Sequence, residues 1–173
     1  MASPQISRLV RAVILAATLG TFAATAGAFE LMEATIADVQ AAYKSKELTS
    51  RQLVQMYLDR VAAYDKQGPT LNSVISLNPK ALEEADALDA AYRKSGPVGP
   101  LHGIPVFLKD QFDAAGMPST LGSVLLKDYR PTRDSFAAEK LRKAGAIIMG
   151  KNTLGELGGG DSYGSLFGVT RNP

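Results

Sequence analysis

The chain has 173 residues, of which 46% are hydrophobic and 21% charged, and a formal net charge of +2. This is an ordinary globular composition with length for one domain and a core, and it excludes a disordered or fibrous protein. The absence of cysteine excludes disulfides and a thiol nucleophile, and together with a single histidine it argues against a zinc site.

The N-terminus reads as a secretory signal peptide over residues 1–28. Ser7-Arg8-Leu9-Val10-Arg11 is basic and Ala12 to Leu19 is apolar, and the small residues Ala23, Ala24, Ala26, Gly27 and Ala28 follow. These are the three regions such a peptide needs, and cleavage after Ala26 or after Ala28 fits equally well. A membrane anchor fits less well, because the run is shorter than about 20 residues and is diluted by Thr18, Thr21 and Thr25. The expected location is therefore periplasmic or extracellular, with no stable membrane span after cleavage. Removing the peptide leaves 17 basic residues against 17 acidic ones. A neutral chain without a basic cluster is not expected to bind nucleic acid.

Residues 29–173 alternate helix and strand signals. Thr35-x-x-Asp38 predicts a capping box, with Ile36, Val39, Ala42 and Tyr43 following at helical spacing. A second helix is predicted from Thr49 or Ser50, with Leu53, Val54, Tyr57, Leu58, Val61 and Tyr64 on one face, and Gly68-Pro69 closes the unit. Ser73 to Leu77 reads as a strand. Asn78 as N-cap and Pro79 at the first helical position predict a helix through Ala81, Leu82, Ala85, Leu88 and Tyr92. After a Gly/Pro loop, Ile104 to Leu108 reads as a buried strand. Asp134 is the expected cap of a further helix, with Phe136, Ala137 and Leu141 inward and Gly145 at its end; Ala146 to Gly150 is a second buried strand. The fold class is α/β with a mixed or parallel sheet. The chain ends at Asn172-Pro173, a turn signal just after a glycine-rich stretch, and it reads as a fragment.

Lys109 follows the apolar run. On residue type alone it reads as a strand-end lysine that reaches back to water. The alternative is a lysine whose charge is disfavoured by burial, since a neutral amine is a general base. Gly158-Gly159-Gly160-Asp161 reads either as a flexible turn or as backbone that a ligand approaches closely. Its spacing to Gly164 does not fit a dinucleotide loop, and Gly150-Lys151-Asn152 lacks the hydroxyl residue of a P-loop. Ser119, Ser123 and Ser162 read as turn or hydrogen-bonding serines. His102 reads as a structural residue holding the loop before the strand, and Asp110 is not simply the ion-pair partner of its neighbour Lys109.

Gly103-Ile104-Pro105-Val106-Phe107-Leu108-Lys109-Asp110, continued by Asp113-x-x-Gly116-Met117-Pro118-Ser119-Thr120-x-Gly122-Ser123, resembles the amidase signature sequence over 21 positions. Thr49 to Leu53, Tyr57 to Arg60 and Leu141 to Lys151 resemble further words of that family, so the resemblance runs from about Ala34 to Pro173. It implies helices around a mixed central sheet, of which residues 29–173 are the N-terminal part, truncated before a Gly-Gly-Ser-Ser-Gly-Gly segment. It also implies hydrolysis of a carbon–nitrogen amide bond by a Ser–cis-Ser–Lys triad, with Lys109 as the base and no metal or cofactor. The bridging and nucleophilic serines are expected outside residues 1–173. Gly158, Gly159, Gly160 and Asp161 are expected beside a small-molecule amide substrate. Without both serines the chain alone is expected to be inactive, and the alternative is a truncated binding protein or pseudoenzyme of the same fold. Gln111 and Asn152-Thr153 depart from the family's common residues. They argue against close kinship with the amidotransferase subunit that acts on charged transfer RNA.

Overall fold

A computed structural model describes residues 29–172; the signal-peptide reading falls on residues 1–28, outside them. Helix α1, Ile36–Ser45, begins at the expected capping box: Thr35 Oγ1 accepts from Asp38 N while the Asp38 side chain accepts from Thr35 N. Helix α2, Ser50–Tyr64, starts in the same way, with Thr49 and Gln52 exchanging bonds. These reciprocal bonds satisfy amides that a helix start otherwise leaves free.

Strand β1, Val74–Leu77, leads into helix α3, Ala81–Ser95. The helix begins later than Asn78-Pro79 predicts. Asn78 is drawn into the sheet, where its N donates to Met149 O (2.8 Å) and its Nδ2 to Ile148 O (2.9 Å), while its Oδ1 still accepts from Lys80 N. Strand β2, Pro105–Lys109, is followed by a long loop and then helix α4, Phe136–Lys143. The N-cap of α4 is Ser135 rather than Asp134. Asp134 instead accepts from Ala115 N (2.7 Å) and pairs with Arg142 Nε (3.1 Å). Of the residues expected inward, Leu141 packs against the core as expected, whereas Phe136 is exposed and Ala138 is fully buried in its place.

Strand β3, Ile147–Asn152, is the centre of a mixed three-stranded sheet of order β1-β3-β2, antiparallel to β1 and parallel to β2. Ile104–Leu108 is a strand as expected, but among the described residues it is less buried than Ala146–Gly150. Strand β2 has only Leu108 of its five residues buried, whereas β3 is buried through Lys151. Apolar clusters cover both faces of β3. Val54, Ala81 and Ala85 pack with Ile147 and Met149, and Ala114, Met117 and Ala138 pack with Leu108 and Ile148. Beyond β3 the glycine-rich stretch forms one turn of 3-10 helix, Glu156–Gly158, and a small hairpin of β4, Tyr163–Gly164, and β5, Gly168–Val169. Among the described residues no helix is long and apolar enough to cross a membrane.

Candidate active site

Because β2 and β3 are parallel, their carboxyl ends lie together, and this is the end at which α/β sheets present ligand sites. Lys109 is the last residue of β2 and Asn152 the last of β3, and the two are partners in register. A bulge sets that pairing. Val106 faces Ile148 but Phe107 faces Gly150, so Met149 is the extra residue. Without it, continued pairing would set Lys109 across from Lys151. With it, Lys151 pairs with Leu108, and because successive strand residues alternate, Lys109 and Lys151 leave opposite faces.

The Lys109 side chain is exposed and makes no hydrogen bond or ion pair among the described residues. The burial expected of a lysine that closes an apolar run falls on Lys151 instead, which has no exposed surface. Its Nζ donates to Ser119 Oγ (3.1 Å), Pro118 O (3.3 Å), and the carbonyl (3.3 Å) and Oδ1 (3.4 Å) of Asp110. Burial pushes the Lys151 ammonium below the ordinary lysine value, and the Asp110 carboxylate opposes that shift. Asp110 is also fully buried. Its Oδ2 accepts from Thr120 Oγ1 (2.5 Å), Thr120 N (3.0 Å) and Gly122 N (3.3 Å), and its own N donates to Asn152 O (3.0 Å). One carboxylate thus gathers the loop after β2, and one ammonium ties that loop to β3.

The loop after β3 packs on the loop after β2. Leu157 N donates to Leu121 O (2.8 Å), and Glu156 accepts from Ser123 Oγ (2.7 Å) and Ser165 Oγ (2.8 Å). Those bonds, Ser123 first and Ser165 next, hold the Glu156 carboxyl below the usual carboxylate value. Gly158, Gly159, Gly160 and Asp161 form the exposed rim of this loop, where the Asp161 side chain accepts from Tyr163 N (3.1 Å). Lys109 ends β2 and this rim lies on the loop after β3, and no hydrogen bond joins them among the described residues. A groove of about 410 Å³ lies beside β1, with Asn72, Ile75 and Ser76 on one side and Pro118, Thr120 and Phe167 on the other; neither Lys109 nor residues 158–161 line it. Ser119 and Ser123 are both buried and hydrogen-bonded as above.

His102 is buried before β2, where its Nδ1 accepts from Val98 N (3.2 Å) and its ring packs edge-on against Tyr43. That is the loop-holding position the sequence suggests. Sequence reasoning missed the Lys151–Asp110 pair. The same signal that selected Lys109, a lysine closing an apolar run, was present at Ala146 to Lys151.

The chain belongs to the Amidase family, whose model matches residues 52–173. It superimposes on the peptide amidase of Stenotrophomonas maltophilia with a TM-score of 0.80 and 42% identity, covering 84% of this chain and 31% of that one. With an amidase family protein from Bacillus anthracis the TM-score is 0.76 and the identity 34%, over 82% and 29% of the two chains. One subunit of the glutamyl-tRNA(Gln) amidotransferase of Acidothermus cellulolyticus is 36% identical over 146 residues, 83% of this chain and 28% of that protein. The departures at Gln111 and Asn152-Thr153 therefore coexist with clear similarity to that amidotransferase, and Asn152 is itself the strand partner of Lys109. The chain spans less than a third of the length of these relatives.

Proposed function

We propose that this chain supplies the lysine side of an exported amidase that hydrolyses small or peptidyl amides. The observation that carries the reading is the placement of Lys109 at the joint carboxyl end of β2 and β3, within the segment that resembles the amidase signature. Identity with a peptide amidase at 42% makes a C-terminally amidated peptide the first substrate class to try.

In this reading a serine beyond residue 173 attacks the amide carbonyl carbon. Its proton passes to a bridging serine, which gives its own to Lys109 Nζ. The lysine then returns a proton to the departing nitrogen as the C–N bond breaks, and water cleaves the serine ester that remains. Gly158 to Asp161 line the approach of the acyl group. The basic and apolar layout of residues 7–28 supports export.

The test is partition of the acyl group. An amidated dipeptide and the anilide of the same acyl group are hydrolysed in the presence of hydroxylamine by protein that carries the serine segments. A common acyl-enzyme gives one ratio of hydroxamate to acid from both substrates, whereas ratios that depend on the leaving amine contradict the reading. Residues 1–173 alone, which contain no Gly-Gly-Ser-Ser-Gly-Gly segment, are expected to release no amine from either substrate.

A further inference from the structure

We propose that Lys151 and Asp110 are positioning residues for Lys109, a role that rests on Lys109 being the base. Asp110 is joined to Lys109 by a peptide bond, and every polar group of Asp110 is held: N by Asn152 O, O by Lys151 Nζ, Oδ1 by Lys151 Nζ, and Oδ2 by Thr120 and Gly122. Among the described residues strand β2 pairs only with β3, so the bonds to Asp110 are what fix its end there. The pair supplies that restraint from the face opposite the Lys109 side chain, where it leaves the Lys109 amine free to meet its partner. Lys151 also holds Pro118 O and Ser119 Oγ, so one ammonium sets both the origin of the Lys109 side chain and the adjoining loop. An ammonium has three protons to share among such acceptors, and a neutral side chain of similar length cannot reproduce them. A displacement of the catalytic group by about 1 Å is enough to cost roughly a hundredfold in rate.

The distinguishing variant is the double substitution Lys151→Met with Asp110→Asn, which removes both buried charges together and leaves no ion unpaired. It is compared with wild type and with Lys109→Ala in the serine-bearing protein. Release of ammonia from an amidated dipeptide is measured over a range of substrate concentrations, below the unfolding temperature of each variant. The expected result is a kcat lowered at least about tenfold with KM within about twofold, because only the alignment of the base has changed. A double variant with wild-type kcat beside an inactive Lys109→Ala overturns the positioning role and leaves Lys109 as base. Wild-type kcat in Lys109→Ala overturns both. If the double variant does not fold, Thr120→Val takes its place. It removes the Thr120 Oγ1 bond to Asp110 without stranding a charge, and a fall of about threefold in kcat at constant KM is expected. An unchanged kcat in that variant counts against the proposal.

Discussion

At the scale of single residues, a lysine closing an apolar run carries two different meanings in this chain. Among the described residues Lys109 ends a strand paired on one side and is exposed, while Lys151 is the next-to-last residue of the central strand and is fully buried. The local pattern is the same in both, and only the order of strands in the sheet separates them. Residue type and spacing could therefore mark Lys109 by its resemblance but could not locate the buried ammonium. His102, the chain's single histidine, was legible as a structural residue, and its chemistry leads to a prediction. Burial holds its imidazole below the ordinary value of 6.5, with Asp89 opposing. The unfolded chain therefore takes up a proton that the folded chain resists as pH falls below about 6.5. Stability is expected to be flat above that pH and to decline as pH falls through the lowered folded value. Urea unfolding at about pH 7.5 and about pH 5 should show this loss in wild type and a much smaller one in His102→Gln. An equal loss in both would assign the effect elsewhere.

At the scale of elements, the first two helices were readable because capping is local: Thr35 with Asp38 and Thr49 with Gln52 each complete a box within four residues. Helix α4 was readable in existence but only partly in phase. Asp134 and Ser135 are both capping residues, and tertiary bonds to Ala115 and Arg142 claim the aspartate. Ala138 and Leu141, three residues apart on one face, pack inward together, which leaves Phe136 outside. The bulge at Met149 was invisible because it depends on which strands pair. It is supported by Gly150, where an added Cβ would lie 2.5 Å from Ser76 O and 2.7 Å from the Phe107 ring. Gly150→Ala is accordingly expected to destabilise the fold by about 1–3 kcal/mol through overpacking. An unchanged urea midpoint would show that the sheet yields there at no cost.

At the scale of the whole molecule, the α/β class and the mixed sheet follow from alternating helix and strand signals, and the comparisons place the chain in the Amidase family. The sheet order was out of reach of sequence because edge and central strands of similar composition look alike until neighbours are known. The export reading rests on residues 1–28 alone. It predicts that protein recovered from the periplasm or medium begins at Gly27 or Phe29, as read by N-terminal sequencing; protein retained in the cytoplasm with Met1 or Ala2 at its start would contradict it.

In the proposed reaction Lys109 is the base of an amide hydrolase. The direct measurement is kcat for Lys109→Ala beside wild type, in folded protein that carries the serine segments, with an amidated dipeptide as substrate. Loss of a general base is expected to lower kcat by about 10²–10⁴-fold while the unfolding temperature stays near wild type, since the Lys109 side chain is exposed and holds no partner among the described residues. A folded Lys109→Ala protein that turns over at the wild-type rate would contradict the account.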